Sequence, residues 1–541
     1  MSTDTVDAFL RAHAGDPGVA LRFEDDTWSW PEATAAAARR AALLLAERRP
    51  GPLHVGLLAD NIPEYVHWLS AAALAGATVV GINPTRRGAE LARDIAHTEC
   101  QVLVVDPSYR DLLDGLDLGD SLDADRIWPL DDAAYRDRLA AHEGAGLDDV
   151  DAALAADGRT IGPDDLYLLL FTSGTSGAPK AVKCSQGRLA RIGGIVSMGF
   201  GLGPDSACYL SMPLFHSNAL MAGWCPAVAG GATSVLRRRF SASAFLDDVR
   251  RHGVTYANYV GKPLAYILAT PEQPDDADNP LQIVFGNEAA DADIAEFGRR
   301  FGCVVIDGYG SSEGGASVSR TPDTPPGSLG PAGDDNVVLD PDTGEECPVA
   351  EFDAHGALVN ADAAIGELVS RRGGSQFEGY WRNEEAEADR RRGDAYWSGD
   401  LAYRDADGYL YFAGRSSDWL RVDGENLAAA PIERILLRHP DVALAAVYGV
   451  PDPVVGDQCM AAIVLRPGAT FDPEGFAAFL GEQADLGTKA APRFVRVAAA
   501  LPSTQTNKVL KRQLQQEATA TDDPIWHRPG RELTYEPISR R

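Results

Sequence analysis

The sequence predicts an α/β protein: a large N-terminal domain of stacked, mostly parallel α/β sheets with a small β subdomain, and a small, mobile α+β C-terminal domain. Short apolar runs alternate with helical stretches from Leu53 to Asp106 and again from residue 188 to 306. Such alternation is typical of parallel sheets covered by helices. Near Ser416 the pattern changes to a short α+β arrangement. A chain of 541 residues is also longer than one hydrophobic core usually supports, so we expect several domains.

The individual elements follow from the hydrophobic pattern. Strands are predicted at the short apolar runs 53–58, 77–82, 101–106, 167–171, 207–212, 232–236, 254–258, 281–285, 303–306, 442–449 and 459–465. Helices are predicted at 31–48, 62–75, 87–97, 188–199, 218–229, 241–252, 291–301, 430–438 and 473–483. Residues 110–163 have no clear periodicity, and the Pro-, Gly- and Asp-rich residues 320–365 predict turns with short antiparallel strands. The expected domains are 1–415 and 416–520, followed by a tail at 521–541.

Composition narrows the class of function. The formal net charge of −30 argues against binding to nucleic acid or anionic membranes, because both partners are polyanions. The seven cysteines include no Cys-x-x-Cys pair, so free thiols are expected rather than a zinc site or a disulfide framework. The N-terminus has no basic region followed by an apolar core, and no apolar run has the length needed to cross a bilayer. We expect a cytoplasmic protein without stable membrane insertion.

A loop rich in hydroxyl groups and glycine follows the apolar run Tyr167–Phe171. The loop residues are Thr172, Ser173, Gly174, Thr175, Ser176 and Gly177, with Lys180 after Pro179. Small residues let the backbone approach an anion closely, and exposed N–H and O–H groups supply donors, so the loop predicts a phosphate site. It is not a Walker A motif, because no Gly-Lys-Ser/Thr opens a helix here. The alternative is an ordinary flexible surface loop.

Three further segments place polar groups at strand ends. Residues 284–290 read Val-Phe-Gly-Asn-Glu-Ala-Ala, and residues 306–315 read Ile-Asp-Gly-Tyr-Gly-Ser-Ser-Glu-Gly-Gly. The third segment contains Trp-Ser-Gly-Asp, ending at Asp400, and then a Gly-Arg pair ending at Arg415. Open α/β sheets bind ligands at the carboxyl ends of their strands, which favours a binding site here. Taken singly, each segment could also be an ordinary turn.

In this order, these motifs resemble the adenylate-forming superfamily of acyl-CoA synthetases, peptide-synthetase adenylation domains and luciferases. The resemblance covers about residue 20 to 515 and includes Gly424-Glu425-Asn426 and the segment Leu501–Leu514 near the end. Within the superfamily, Pro179–Val182, Leu236–Ser243, Gly424–Asn426 and Ala491–Phe494 are most similar to acyl-CoA synthetases of the fatty-acid-transport-protein type.

The resemblance implies a role for each matching residue. Tyr309 would stack on adenine, Ser312 would donate to phosphate in place of the usual threonine, and Glu313 would hold Mg²⁺. Lys508 would be the catalytic lysine of adenylation, although Asn507 stands where many relatives have glycine. The remaining residues expected to bind ATP or CoA are Thr172, Ser173, Gly174, Thr175, Ser176, Gly177, Lys180, Gly286, Asn287, Glu288, Asp307, Gly308, Gly310, Ser311, Asp400, Arg415, Gly424, Glu425 and Asn426. The acyl group would be bordered by His216, which we also count as catalytic, and by Trp224, Val260 and Gly310.

The resemblance therefore implies an ATP- and Mg²⁺-dependent ligase that joins a carboxylic acid to coenzyme A, and a homodimer is a further expectation. Since ATP and CoA are polyanions, local basic patches and magnesium would have to offset the negative field of the chain. One alternative is a family member that performs only CoA transfer from a preformed acyl-adenylate, for example in secondary metabolism. A peptide-synthetase-like domain is disfavoured because no Gly-x-Asp-Ser-Leu carrier segment follows residue 515. A P-loop kinase or ATPase is disfavoured by the missing Walker A motif, and a silent nucleotide-binding protein by the complete set of polar site residues.

Overall fold

The computed structural model describes residues 4–119, 122–172, 179–321, 323–354, 358–415, 419–422, 425–452, 456–483, 485–486, 490–504, 509–530 and 532–538. Close contacts divide the chain into two compact units. The first unit comprises Met1–Asn287, Ile294–Ile306 and Glu378–Ala388, and the second comprises Glu288–Asp293, Asp307–Phe377 and Asp389–Arg541. This division differs from the expected boundary at residue 415.

The helices and strands are numbered here in chain order. The helices are α1 Val6–His13, α2 Trp30–Ala46, α3 Pro63–Ala75, α4 Gly88–His97, α5 Ala133–Ala140, α6 Leu147–Ala156, α7 Gln186–Phe200, α8 Cys225–Gly230, α9 Phe245–His252, α10 Pro263–Leu268, α11 Asp291–Phe301, α12 Ala361–Ala364, α13 Glu384–Arg390, α14 Ala429–Leu436, α15 Pro473–Glu482 and α16 Lys511–Glu517. The strands are β1 Val19–Phe23, β2 Asp26–Ser29, β3 His54–Leu58, β4 Thr78–Gly81, β5 Val102–Val105, β6 Ile127–Pro129, β7 Leu166–Phe171, β8 Ala181–Ser185, β9 Ala207–Leu210, β10 Thr233–Leu236, β11 Tyr256–Val260, β12 Ile283–Asn287, β13 Val304–Gly310, β14 Ser317–Ser319, β15 Gly330–Pro331, β16 Asn336–Leu339, β17 Gly366–Ser370, β18 Arg391–Arg392, β19 Ala395–Arg404, β20 Tyr409–Arg415, β21 Trp419–Val422, β22 Glu425–Ala428, β23 Val442–Asp452, β24 Gly456–Leu465, β25 Phe494–Val497, β26 Ile525–His527 and β27 Glu536–Pro537. A π-helix at Ala219–Trp224 precedes α8.

The first unit contains two mostly parallel sheets. One has the strand order β6-β5-β3-β4-β7-β8, and its only antiparallel pair among the described strands is β7 with β8. The other runs β13-β12-β11-β9-β10-β1-β2, with β1 and β2 forming an antiparallel hairpin at one edge. A large hydrophobic cluster packs helices α1–α3 and the segment around Trp224 against these strands. The expected α/β class with mostly parallel sheets is confirmed.

The second unit is mainly antiparallel. Its first strand consists of the last residues of β13, which pair with β14. A further sheet has the order β15-β20-β19-β17-β16, and the C-terminal sheet runs β22-β21-β24-β25-β26-β27 with β23 beside β24. The strands expected in the turn-rich region 320–365 are therefore present as β15 and β16.

Some elements lie where the sequence analysis predicted none. Helix α1 and the hairpin of β1 and β2 precede the first predicted helix, and α5 and α6 lie within residues 110–163. The segment expected to be a tail contributes β26, which pairs with β25, and Tyr535, which is buried and donates a hydrogen bond to the carbonyl of Pro492 at 2.7 Å. These elements were missed because they are short and their apolar residues are held by partners distant in sequence.

A buried ion pair joins the first two long helices of the first unit. The guanidinium of Arg40 on α2 donates to both carboxylate oxygens of Glu64 on α3, at 2.7 and 2.5 Å. The hydroxyl of Tyr135 donates to the same carboxylate and accepts from the indole of Trp68 at 3.1 Å. His67 is buried beside this network, and neither ring nitrogen has a hydrogen-bond partner among the described residues. Burial, and next the Arg40 cation, lower the pKa of His67 to about 4.

We predict that His67 makes stability sensitive to mild acid. Its pKa is lower in the folded than in the unfolded chain, so the unfolded state binds the extra proton and stability falls as the pH drops below about 6.5. The variant His67→Phe should remove this effect. Between pH 6.5 and 5, the free energy of unfolding of the variant should fall by about 2 kcal/mol less than that of the wild type. Urea unfolding at both pH values measures this, and equal losses would contradict the prediction.

Candidate active site

The described ends of the hydroxyl-rich loop form the base of an antiparallel hairpin. Phe171 pairs with Ala181 across β7 and β8, and the amide of Thr172 donates to the carbonyl of Lys180 at 3.1 Å. The side chain of Asn383 donates to the carbonyl of Pro179 at 3.1 Å, and the ammonium of Lys180 lies 6.0 Å from the ring centre of Tyr380. The expected phosphate-loop residues Ser173, Gly174, Thr175, Ser176 and Gly177 lie outside the described residues.

The segment with the expected acyl-binding residues begins where β9 ends. The amide of His216 donates to the carbonyl of Pro213 at 2.9 Å, which closes a turn before the π-helix. The buried side chain of Asn61 donates to the carbonyl of Met212 at 2.8 Å and accepts from the amide of Leu214 at 2.9 Å. One amide side chain therefore fixes the turn that presents His216.

A relay of side-chain amides fixes the start of the π-helix. Asn218 donates to the carbonyl of Tyr259 at 2.9 Å, so its amide oxygen faces Asn258, which donates to it at 2.7 Å. On the same face of β11, the hydroxyl of Tyr256 donates to the carbonyl of Ala222 at 2.5 Å. The side-chain oxygen of Asn258 is buried and has no hydrogen-bond partner among the described residues. π-Helices are rare and occur frequently at functional sites.

The π-helix packs closely against β11 because residue 223 is glycine. A Cβ atom at Gly223 would lie 2.8 Å from the side-chain oxygen of Asn258 and 2.8 Å from a methyl group of Leu210. Trp224 is 1% exposed and belongs to the large hydrophobic cluster, against which Val260 also packs. The structure thus brings Trp224 and Val260 to one cluster. The sequence analysis gave no individual role to Asn218, Asn258 or Gly223, although residues 216–224 as a whole were expected to border the acyl group. The signal for Asn258 was a polar residue within an otherwise apolar run.

The end of β12 is shaped by another close approach. Gly286 faces Tyr259 on β11, and a Cβ atom at residue 286 would overlap with the carbonyl and ring of Tyr259. Asn287 accepts at its carbonyl from the amide of Gly261 at 3.0 Å. The next residue, Glu288, has a φ of +69°, which is uncommon outside glycine and asparagine and occurs often at functional turns.

In the second unit, two of the expected nucleotide residues are in direct contact. The hydroxyl of Tyr309 donates to the carboxylate of Asp400 at 2.6 Å. Burial, and next the Asp400 charge, raise the pKa of Tyr309 well above its ordinary value, so its hydroxyl stays protonated and acts as a donor. Ser398 accepts from the amide of Asp400 at 3.1 Å. Asp400 is also opposite Arg415 across β19 and β20, although the Arg415 side chain lies outside what the structure describes.

The serine-rich turn after β13 has an unpaired donor. Ser311 Oγ is buried and has no hydrogen-bond partner among the described residues. Gly310, just before it, has open space on the side where a Cβ would stand. Asp307 is buried and accepts from the amide of Ala289 at 3.2 Å, which joins the two predicted purine-binding segments within the second unit. A donor that lacks a partner at an open strand end fits a ligand with acceptor oxygens, such as a phosphate.

No group of three or more His, Cys, Asp or Glu side chains suited to a metal occurs among the described residues. Glu313 offers one half-buried carboxylate. Mg²⁺ is often bound through one or two carboxylates together with substrate phosphates and water, so Glu313 fits this ion when a nucleotide supplies the other oxygens.

Other expected positions are not described. Gly424 and Lys508 lie outside the described residues, as does Asn507. For Glu425 and Asn426 the structure gives only the backbone, which forms β22. Within the described part of the chain, no helix is both long and apolar enough to cross a membrane.

This arrangement of sheets and motifs matches a known family along most of the chain. The model of the AMP-binding enzyme family matches residues 10–381, and the model of the AMP-binding enzyme C-terminal domain matches residues 431–508. The chain therefore belongs to the AMP-binding enzyme family.

Individual relatives and structures agree with this assignment. The chain is 52% identical to steroid-22-oyl-CoA synthetase of Rhodococcus jostii (strain RHA1), over 97% of this chain and 93% of the relative. It is 52% identical to the medium/long-chain-fatty-acid–CoA ligase FadD17 of Mycobacterium marinum, over 95% of this chain and 96% of the relative. It is also 31% identical to human long-chain fatty acid transport protein 5, over 99% of this chain and 81% of the relative. The fold matches ATP-bound MatB of Rhodopseudomonas palustris with a TM-score of 0.79 at 24% identity, over 96% of this chain and 99% of that one.

We predict that the fit of the π-helix against β11 depends on Gly223. The variant Gly223→Ala inserts a methyl group into a space that is already filled, so it should lower the free energy of unfolding by about 1–3 kcal/mol. Gly199 on α7 is the matched control, because a Cβ there meets no atom within 4 Å. Gly199→Ala should be neutral or stabilising by up to about 1 kcal/mol. Urea unfolding compares the two variants, and equal effects would show that the approach at residue 223 is not tight.

Proposed function

We propose that this chain, an ATP-dependent acyl-CoA ligase of the AMP-binding enzyme family, activates a large apolar carboxylic acid. The proposal rests on the position of Trp224 and Val260 at one large hydrophobic cluster. Trp224 follows the turn at His216 by eight residues along the chain. Apolar walls favour an apolar acyl group by about 0.8 kcal/mol for each buried methylene. The names of the two relatives at 52% identity refer to a steroid acid and to medium- and long-chain fatty acids, which supports the same class of substrate.

The reaction has two steps. In the first, a carboxylate oxygen of the acid attacks the α-phosphorus of ATP, which forms the acyl-adenylate and releases pyrophosphate. In the second, the thiol of CoA attacks the acyl carbon, loses its proton and releases AMP. Positioning and charge neutralisation contribute most, because ATP itself supplies the leaving group. Mg²⁺, when bound, would neutralise phosphate charge.

The residues expected from the sequence take different parts in this reaction. Asp400 accepts hydrogen bonds from the ribose hydroxyls, and Tyr309, held by Asp400, packs on the adenine. Ser311 and Ser312 donate to phosphate oxygens, and Glu313 holds Mg²⁺. Lys508 neutralises charge on the α-phosphate in the first step. Gly424, Glu425 and Asn426 border the pantetheine arm of CoA, while His216 and Gly310 border the reacting carboxylate. The homodimer and the cytoplasmic location stay predictions from the sequence.

A panel of carboxylic acids tests the class of substrate. Each acid is supplied with ATP and Mg²⁺, with and without CoA, and the release of pyrophosphate and AMP is measured. We expect kcat/KM to rise about fourfold with each added methylene until the pocket is filled, because each buried methylene contributes about 0.8 kcal/mol. Short polar acids should be poor substrates, and a preference for them would contradict the proposal. If pyrophosphate never forms but supplied acyl-adenylate reacts with CoA, the chain is the transfer-only enzyme instead.

A second experiment separates the two steps. Lys508→Ala should lower pyrophosphate formation by on the order of 10²–10³, because it removes a charge that stabilises the transition state of the first step. CoA transfer from supplied acyl-adenylate should be largely retained. Gly424→Leu should have the converse effect, because its side chain would block the pantetheine path.

Lys511→Ala is the matched control for the lysine. Lys511 lies three positions after Lys508, and its ammonium pairs with Glu433 at 2.8 Å. The control should keep both steps and lose only a modest amount of stability, since a partly exposed ion pair contributes about 0–1 kcal/mol. If Lys508→Ala damages both steps equally, or neither, the role assigned to Lys508 is wrong. Circular dichroism of all three variants checks that they fold.

A further inference from the structure

A small cavity lies inside the first unit, between Trp224 and the N-terminal helices. Its volume is about 20 Å³, and its walls include Trp30 and Thr34 on α2, Val66 and Leu74 on α3, and the indole of Trp224. A cavity of this size holds one water-sized group. The aliphatic and aromatic side chains make most of the wall apolar.

Two polar atoms of the cavity residues lack a partner. Trp30 Nε1 and Thr34 Oγ1 are buried and have no hydrogen-bond partner among the described residues. Trp30 is 4% exposed and Thr34 is 8% exposed, so bulk water does not satisfy them. The two residues are four positions apart on α2 and therefore lie on the same face of the helix. A buried polar group without a partner is unfavourable, so a ligand that supplies an acceptor here is favoured.

The chemistry of these atoms defines what could fill the cavity. The indole N–H can only donate a hydrogen bond, and the threonine hydroxyl can donate or accept. An oxygen with lone pairs, such as a ketone or a hydroxyl oxygen, is an acceptor to which both groups can donate. The apolar walls require that the rest of the molecule bearing this oxygen is apolar.

The cavity adjoins a residue that is expected to border the acyl group. Trp224 forms one of its walls and is also the last residue of the π-helix that follows His216. Trp30, Val66, Leu74 and Trp224 all belong to the hydrophobic cluster against which Val260 packs. Trp224 is therefore common to the cavity with its two unpaired polar atoms and to the segment that is expected to border the acyl group.

We propose that the cavity is a distal subsite that binds a ketone or hydroxyl oxygen at the end of the acyl substrate opposite its carboxylate. The substrate class is thus an apolar carboxylic acid with one oxygen function far from the carboxyl group. This inference rests on the proposed function and makes it more specific. Trp30 and Thr34 act as specificity-determining residues, and Trp224 is the wall that the acyl group must displace to reach them.

Pairs of acids test the proposal. Each pair shares one chain length and differs only in a ketone or a methylene at the penultimate carbon, and the pairs cover a series of lengths. We measure kcat/KM for AMP release with ATP, Mg²⁺ and CoA. The wild type should prefer the ketone by about 3- to 10-fold, the worth of one or two neutral hydrogen bonds. Because the subsite lies at a fixed distance from the carboxylate, this preference should appear at one chain length and vanish at shorter and longer ones.

Variants show whether Trp30 and Thr34 cause the preference for the ketone. Thr34→Val keeps the shape and removes the hydroxyl, and Trp30→Phe keeps a ring and removes the N–H, so each should bring the ketone-to-methylene ratio close to one. Thr34→Ser retains the hydroxyl and should keep the preference. Calorimetric titration of wild type and variants with the free acids gives the same ratio without relying on turnover.

The outcomes are distinct. Equal use of both acids at every length by the wild type overturns the subsite and leaves a buried water as the occupant of the cavity. If the preference for the ketone survives in both Thr34→Val and Trp30→Phe, the subsite is also overturned, because the oxygen is then bound by other residues. If no acid of the series yields AMP or pyrophosphate, the proposed function itself fails, and the subsite fails with it.

Discussion

The segment from Met212 to Trp224 is buried although it is neither a regular α-helix nor a strand, and its backbone polar groups therefore need partners from outside. Those partners are side chains: Asn61 satisfies two backbone groups at the turn, and the hydroxyl of Tyr256 satisfies Ala222. An unpaired buried backbone group costs about as much as a lost hydrogen bond, so this segment can pass through the hydrophobic cluster only because these partners exist. The positions of His216 and Trp224 both depend on this pairing.

Close backbone approach is the second constraint on the site, and it gives some motif residues two roles. Gly286 belongs to a segment expected to bind the purine, yet it is also required because the carbonyl of Tyr259 occupies the space of a side chain. In the second unit, a Cβ atom at Gly315 would overlap with the ring of Tyr396. Substitution of either glycine would disturb the packing, so a loss of activity in the variant would not measure ligand binding alone. Polar residues such as Ser311 and Asp400 are therefore better probes of the chemistry.

The sequence was informative where structure is determined locally. Helix α3 and strands β3 and β9 through β12 have strong periodicity, and they were predicted to within a few residues. The motif around Tyr309 was recognisable because its residues are contiguous. The relay from Asn258 through Asn218 to Tyr259 was not predictable, since it joins residues about 40 positions apart and leaves no periodic trace. The hairpin of β1 and β2 and the strand β26 were missed for the same reason, because sheet pairing with distant strands decides them.

The charge of the chain bears on how it binds polyanionic substrates. The run Arg237–Arg239 resembles a basic patch in sequence, but each of these arginines faces a carboxylate: Arg237 pairs with Asp248 at 2.8 Å, Arg238 with Asp106 at 3.3 Å and Arg239 with Asp60 at 2.9 Å. Their charges are therefore largely compensated within the first unit, and they add little long-range positive field to a chain of net charge −30. Exposed charges are screened within about 8–10 Å at moderate salt. In the proposed function these three arginines therefore contribute little to the attraction of ATP, which depends instead on groups at contact distance, such as the hydroxyl of Ser311 and the ammonium of Lys508.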